Sequence, residues 1–252
     1  MALNVATLKT RSLTAVVFVA VMLVGLLWNF WSFLILFTVV HFGCWFEFIK
    51  LIKKIYGERY LKYCLVGVVY ITVPILMMID LRMRSIVISC MNGGGITGAA
   101  NSIYEYFVFP FAIFPLTIIG AIWINDTMAY IVGSLIGKTP LSKISPKKTR
   151  EGTIGGVLLS IIVTGLIFSN LDPGIVIRNF KYEFSNMHFY IIAALCAIFG
   201  TIGDLFESKL KRMANVKDSG TIMPGHGGFL DRFDSLLFAA PAVWLYVKLF
   251  MN

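Results

Sequence analysis

Charged side chains are scarce in this sequence. Asp, Glu, Lys and Arg make up 14% of its 252 residues and hydrophobic residues 58%, whereas an ordinary soluble domain is about 25% charged. The apolar residues come in long runs rather than at the spacing of a helix that is buried on one face. This composition argues against an ordinary soluble domain and predicts an all-α, polytopic integral membrane protein.

Cysteine and histidine are also few. The four cysteines form no Cys-x-x-Cys pair and do not cluster with the three histidines, which argues against a site where thiolates hold a metal. We therefore expect Cys44, Cys64, Cys90 and Cys196 to be small buried hydrophobic residues.

Long apolar runs predict roughly seven transmembrane helices. These runs cover residues 13–28, 31–48, 63–79, 106–123, 155–168, 188–205 and 235–250. The first run follows Lys9 and Arg11, as in a signal peptide, but no small-residue cleavage site is evident, so we expect it to be retained. Residues 123–137 either continue the fourth span or form a second short helix.

Basic residues between the runs predict the orientation. By the rule that Lys and Arg concentrate in cytoplasmic loops, one side of the membrane is the cytoplasm. The residues assigned to that side are Lys9, Arg11, Lys50, Lys53, Lys54, Arg59, Lys62, Lys138, Lys143, Lys147, Lys148, Arg150, Lys209, Lys211, Arg212 and Lys217. The opposite loops hold fewer, for example Arg82 and Arg84 in one of them. The net charge of +9 is thus explained by topology, and no nucleic-acid partner is expected.

Two polar stretches interrupt the apolar pattern on the predicted cytoplasmic side, at residues 125–152 and 203–234. Asp126 and Asp204 fall within apolar runs or close to them, where a carboxylate is costly unless it binds a cation, faces water or pairs with another helix. Each is therefore a functional candidate, with an interhelical hydrogen bond or salt bridge as the alternative.

The second stretch contains Gly225-His226-Gly227-Gly228 before a helix predicted to start near Phe229. Glycines let backbone N–H groups approach an anion, and the helix start adds its positive end. Asp231 and Asp234 lie three residues apart on one helix face and suit Mg²⁺. Alternatively, they only stabilise the first helical turn. His226 could act as a general base, donate a hydrogen bond to phosphate or simply form the turn, and the sequence leaves these alternatives open. Asp218 is a further carboxylate beside a turn.

The polar residues between 208 and 234 form a long signature. It reads Ser208-x-x-Lys211-Arg212, Lys217-Asp218-Ser219-Gly220 and Pro224-Gly225-His226-Gly227-Gly228-x-x-Asp231-Arg232-x-Asp234. This pattern resembles the carboxy-terminal signature of phosphatidate cytidylyltransferases, also called CDP-diacylglycerol synthases. Also similar to that family are Ser145-Pro146-x-Lys148-Thr149-x-Glu151-Gly152 and the series Asp126, Tyr130, Gly133, Gly137. The resemblance covers roughly the carboxy-terminal half, and Arg150 departs from it.

The resemblance implies a reaction in which CTP and phosphatidic acid give CDP-diacylglycerol and pyrophosphate, with one or two Mg²⁺ ions as cofactor. The catalytic residues that it implies are Asp218, Asp231, Asp234, Lys148 and Lys217. The expected metal ligands are Asp126, Asp204, Asp218, Asp231 and Asp234. The expected substrate-binding residues are Ser145, Lys148, Thr149, Glu151, Ser208, Lys211, Arg212, Gly225, His226, Gly227, Gly228 and Arg232.

We interpret residues 1–252 as one membrane domain, with amino-terminal spans at 1–122 and a catalytic half at 123–252. The expected location is the bacterial inner (plasma) membrane, with CTP reaching the site from the cytoplasm and phosphatidic acid from the bilayer. A homodimer is left open. The alternative functions are a CTP-dependent polyprenol or phytol kinase and a secondary transporter that couples ions through its intramembrane carboxylates.

Overall fold

The computed structural model describes residues 5–92, 112–170, 187–222 and 227–251 of the chain. Over these residues the fold is helical without a β-sheet, which confirms the all-α prediction. The helices are α1 Val5–Leu27, α2 Phe30–Tyr56, α3 Tyr60–Gly67, α4 Val73–Asn92, α5 Ile113–Ile136, α6 Arg150–Asn170, α7 Met187–Met213 and α8 Leu230–Phe250. A 3₁₀ turn at Gly57–Arg59 separates α2 from α3, and a π-helical turn at Val68–Thr72 joins α3 to α4.

Five helical stretches are long and apolar enough to cross a membrane. They are Phe30–Arg84, Ile113–Ile136, Arg150–Ser169, Met187–Met213 and Leu230–Phe250, and α1 adds the shorter apolar helix Leu13–Leu27. The chain is thus a polytopic helical membrane protein. Residues 106–111 of the fourth predicted span lie outside the described residues.

The stretch Phe30–Arg84 contains two of the predicted spans, because the chain turns back on itself at Gly57. Gly57 has a φ of 55°, which ends α2. Early α2 contacts late α4, where the Arg82 guanidinium lies 5.7 Å from the Phe33 ring, and later α2 contacts the π-helical turn, where His41 Nε2 lies 3.0 Å from Thr72 Oγ1. This order of contacts makes α2 and α3–α4 antiparallel.

The helices that carry the polar stretches pack closely together. α5 lies against α6, α6 against α7 and α7 against α8, while α8 also contacts α2 and α4. Glycines allow α5 and α6 to approach: a Cβ at Gly156 would lie only 2.6 Å from Ala129 Cβ, and one at Gly155 only 2.6 Å from Val132 Cγ1. α5 runs without a break to Ile136, so residues 123–136 continue the fourth span.

Arg82 corrects the predicted topology in one place. The sequence assigned it to an external loop, but α4 continues past the apolar run and Arg82 is fully buried. Its guanidinium lies near the ring of Phe33, where a cation–π contact takes the place of hydration.

The cysteine prediction is confirmed at Cys44 and Cys196, which are buried and free. Cys64 is only partly buried. The side chain of Cys90 lies outside the described residues.

Candidate active site

A cavity of about 520 Å³ lies where α5, α6 and α7 meet the loop at residues 137–149. The side chains of Asp126, Lys148, Thr149 and Asp204 line it, together with Asn125. The two polar stretches, far apart in the sequence, therefore contribute to the same cavity. Of the predicted site residues, these four line the cavity.

Opposite charges are concentrated at this cavity. Lys148 Nζ donates a hydrogen bond of 2.5 Å to Asp204 Oδ2. The carboxylate of Asp234, on the first turns of α8, interacts electrostatically with Asp204, Asp126 and Lys148, and Arg232 interacts with Asp126. Asp234 is only 6% exposed. Three carboxylates, one lysine and one arginine thus share the region.

The loop before α6 fixes the position of Lys148. Leu141 N donates to Lys148 O over 2.7 Å and Arg150 N to Thr139 O over 2.9 Å, which closes the loop on itself. Thr149 caps α6, since its Oγ1 accepts a hydrogen bond from Gly152 N at 3.1 Å. These contacts hold the loop so that Lys148 points toward α7.

Glu151 also shapes this loop. Its carboxylate accepts hydrogen bonds from the backbone N–H groups of Lys138 and Thr139 at 3.2–3.3 Å. In the structure, Thr149 and Glu151 therefore organise the backbone around Lys148. Their predicted role as substrate ligands stays a prediction.

Asp231 belongs to a different cluster. Its Oδ1 accepts a hydrogen bond from Lys211 Nζ at 2.6 Å, and its Oδ2 accepts from Gly228 N at 2.8 Å and from Ser219 N and Oγ, each at 2.9 Å. Lys211 also forms an i,i+4 ion pair with Glu207. Both oxygens of Asp231 are thus engaged within the protein, which matches the alternative that this residue stabilises the start of α8.

The carboxylates of Asp231 and Asp234, predicted to share a metal, take part in separate contacts. Their spacing of three residues places them on one broad face of α8, but Asp231 turns back to the loop before the helix. Asp234 instead interacts with the cavity residues. The helical spacing predicted that the two carboxylates share a face of α8, but it did not predict which residues each carboxylate contacts.

Glu47 of α2 is a further residue at this site that the sequence analysis did not select. It is 1% exposed, and its carboxylate accepts hydrogen bonds from Phe229 N at 3.0 Å, Leu230 N at 2.9 Å and Ser219 Oγ at 2.7 Å. The signal was present in the sequence, because a carboxylate within an apolar run is a functional candidate by default. The same rule had selected Asp126 and Asp204.

Part of the glycine-rich segment is hydrogen-bonded within the chain. Gly228 N donates to Asp231, and Glu47 accepts from the first N–H groups of α8, while the expectation that the glycine N–H groups receive phosphate stays a prediction. Gly227 has a φ of 83°, a conformation that favours glycine. Gly225 and His226 lie outside the described residues.

The other predicted residues surround these two clusters. Arg212, Lys217, Asp218 and Arg232 are exposed, and Ser145 and Ser208 are half-buried. Arg212 Nε reaches Ile144 O at 3.5 Å, which links the last turn of α7 to the loop before α6. Asp218 does not line the cavity.

The cavity suits Mg²⁺ only together with a nucleotide. Among the described residues, no group of three or more His, Cys, Asp or Glu side chains could hold a metal ion. Mg²⁺ at nucleotide sites usually needs only one or two carboxylates, because phosphates and water complete its shell. Asp126 and Asp204 meet that requirement, and Asn125 adds an oxygen, Oδ1, that is buried and has no hydrogen-bond partner in the described part of the chain.

The chain is similar in sequence to known proteins. The model of the cytidylyltransferase family matches residues 100–250. The chain is 32% identical over 246 residues to a protein named phosphatidate cytidylyltransferase from Rickettsia bellii (strain RML369-C), covering 97% of this chain and 92% of that protein.

Two further relatives carry the same name. The protein from Rickettsia felis (strain ATCC VR-1525 / URRWXCal2) is 33% identical over 240 residues, covering 93% of this chain and 89% of that protein. The protein from Bacillus subtilis (strain 168) is 42% identical over 130 residues, covering 51% of this chain and 45% of that protein. A match over almost the whole length of this chain and of the first relative decides the assignment, and this chain belongs to the cytidylyltransferase family.

Proposed function

We propose that this chain is an enzyme that transfers the CMP group of CTP to phosphatidic acid, forming CDP-diacylglycerol and pyrophosphate. The observation that carries the proposal is the cavity where Lys148 meets Asp126 and Asp204 between membrane-spanning helices. The chain is related over almost its whole length to proteins named phosphatidate cytidylyltransferase. Its charged cavity supplies groups that can bind phosphates, and the cavity lies between membrane-spanning helices, next to the lipid.

The reaction is a displacement at the α-phosphorus of CTP. A phosphate oxygen of phosphatidic acid forms the new P–O bond, while the bond between the α-phosphorus and the bridging oxygen breaks and pyrophosphate leaves with that electron pair. A phosphate monoester with a second pKa of about 6 is largely dianionic at neutral pH. The nucleophile therefore needs no general base, and the protein needs to supply alignment and charge neutralisation.

Lys148 is positioned for charge neutralisation. Its ammonium group lies at the cavity on a loop that is closed by backbone hydrogen bonds. An ammonium group held at that place can donate to phosphate oxygens of CTP, with Arg232 near Asp126 as a second cation. Lys211 is engaged by Glu207 and Asp231, so in this proposal it supports the site without binding phosphate.

Mg²⁺ is part of the proposal. Asp126 and Asp204 are the residues that would hold it, with Asn125 Oδ1 as a neighbouring oxygen. When bound, such an ion stabilises the charge on the nucleotide phosphates and on the leaving pyrophosphate. Asp234 is buried on the first turns of α8, where its backbone packs against Gly203, the residue before Asp204.

The orientation follows from the basic residues. Lys148, Lys211 and Arg212 lie at the end of the helices that carries the cavity, on the side that the positive-inside rule assigns to the cytoplasm. CTP would enter from the cytoplasm, while phosphatidic acid would reach the same end of the bundle from the bilayer. The proposed location is the bacterial inner membrane.

A product assay tests the proposal. Detergent-purified protein is incubated with phosphatidic acid, Mg²⁺ and CTP labelled either at the α- or at the γ-phosphate. We expect α-label in the lipid fraction and γ-label in pyrophosphate. Gamma-label in the lipid fraction of a parallel reaction with a prenol acceptor would indicate a kinase instead, and absence of both transfers in folded protein would refute nucleotide chemistry.

A further inference from the structure

The carboxylate of Glu47 lies at the point where the amino-terminal half meets the signature segment. It accepts hydrogen bonds from Ser219 Oγ and from the first two N–H groups of the α8 start, Phe229 N and Leu230 N. We propose that Glu47 is a positioning residue for the transfer reaction: it fixes the first turn of α8 and thereby the placement of α8 against α7, the helix that carries Asp204 of the cavity. This inference rests on the proposed function.

The geometry favours a positioning role over a general packing role. Among the described residues, Glu47 forms no ion pair, so directional N–H and O–H donors and the positive end of α8 compensate its charge. Such hydrogen bonds are strong and lose strength steeply when donor and acceptor move apart or tilt. The α8 start is therefore held in both position and direction.

Glycines enclose the carboxylate on two sides. A Cβ added at Gly220 or at Gly228 would overlap the oxygens of Glu47, so the absence of side chains there allows the segments at residues 219–220 and 228–230 to close over it. The anion at the start of α8 is thus the chain's own glutamate, whose side chain is 1% exposed.

The contact is transmitted to the cavity over one helical turn. Asp234 lies four residues after Leu230, whose N–H group Glu47 binds, and its backbone packs against α7: a Cβ at Gly203, the residue before Asp204, would overlap Asp234 O. Ser219, the third donor, also binds Asp231. A shift of the α8 start would therefore move α8 against the helix that carries Asp204, and a misplacement of about 1 Å can reduce a rate by about 100-fold.

The test is Glu47→Gln, which keeps the size of the side chain but places an NH₂ group against an N–H donor. We expect kcat to fall at least about tenfold while the KM for CTP changes less than about threefold, because the loop of Lys148 does not contact Glu47. Ser219→Ala removes one of the three donors to Glu47, together with the contacts of the same hydroxyl with Asp231, and should lower kcat by about threefold to tenfold. This variant tests the inference if Glu47→Gln fails to fold.

Val40→Ala is the matched control, since Val40 lies on the same helix and is 1% exposed but forms none of these contacts. It should lower the melting temperature without lowering kcat when each variant is assayed well below its own melting temperature. A Glu47→Gln enzyme with kcat within about twofold of wild type, or a kcat loss equal to that of Val40→Ala, would overturn the inference.

Hydrogen exchange separates this inference from the proposed function. In Glu47→Gln, the amides of Phe229 and Leu230 should exchange at least about tenfold faster, and Val40→Ala should leave them protected. If wild-type protein forms no CDP-diacylglycerol, the proposed function fails, but the exchange rates still decide whether Glu47 fixes the start of α8. Unchanged protection in Glu47→Gln would refute the positioning role.

Discussion

Replacing Asp231 with asparagine should destabilise the protein much more than the same change at Asp204. Asp231 is paired with Lys211 at side-chain exposures of 10% and 15%, whereas Asp204 and Lys148 are 23% and 37% exposed. In Asp231→Asn, the amide oxygen can still accept from the backbone, but its NH₂ group then faces the ammonium of Lys211. Only Glu207 remains to pair with that buried cation.

The expected loss of stability follows from the burial of the Asp231–Lys211 pair. A charge-assisted hydrogen bond contributes about 1.5–3 kcal/mol, and removing one partner of a buried pair costs about 3–5 kcal/mol. Because Glu207 still pairs with Lys211, we expect about 2–4 kcal/mol for Asp231→Asn, or roughly 4–16 °C in melting temperature. The more exposed Asp204 pair contributes about 0–1 kcal/mol, so Asp204→Asn should melt within about 4 °C of wild type.

Thermal unfolding of the detergent-purified proteins, followed by tryptophan fluorescence, measures the difference. Transfer of labelled CMP is measured on the same samples at a temperature where all of them are folded. Asp204→Asn should lose transfer and keep its melting temperature. A melting temperature for Asp231→Asn equal to that of wild type, or a larger loss in Asp204→Asn, would refute the division into a supporting cluster and a cavity cluster.

Three further predictions concern the loops and the cofactor. Lys148→Gln should lower kcat/KM by about 10²–10³, the usual effect of removing one preorganised donor to a developing charge; Lys143→Gln, at an exposed lysine of the same loop that does not line the cavity, is the control and should stay within about threefold. Gly228→Ala should cost about 1–3 kcal/mol in thermal unfolding because its methyl group meets Glu47, whereas Gly120→Ala, with no neighbouring atom closer than 3.6 Å to the added Cβ, should be tolerated. EDTA should abolish transfer and Mg²⁺ should restore it; transfer that persists in EDTA would contradict a divalent cofactor.

The helices were predictable because lipid imposes a length on each apolar run. The continuity of α5 was not predictable, because Asn125 and Asp126 interrupt the apolar pattern where the sequence also allowed a second short helix to begin. The structure accommodates both at the cavity, where polar groups of α7 and of the loop before α6 replace the lipid. Tertiary contacts thus decided what local hydropathy left open.

The cavity residues were predictable for a different reason. Asp126 and Asp204 carry a cost in the membrane that function or pairing must offset, and this rule selected both. The partners of Asp231 could not be read from the sequence, because spacing fixes a helix face but not which loop folds back to it. The contact of Glu47 with Ser219 joins residues 172 positions apart, and no local pattern indicates such a pair.

The central claim is that CMP transfer occurs at the cavity of Asp204 and Lys148. The most direct measurement is the single-turnover rate of α-labelled CMP transfer to phosphatidic acid in wild type, Asp204→Asn and Glu58→Gln, where Glu58 is an exposed carboxylate on the turn after α2. We predict equal rates for wild type and Glu58→Gln and a rate at least about 100-fold lower for Asp204→Asn. A wild-type rate in folded Asp204→Asn would contradict the account.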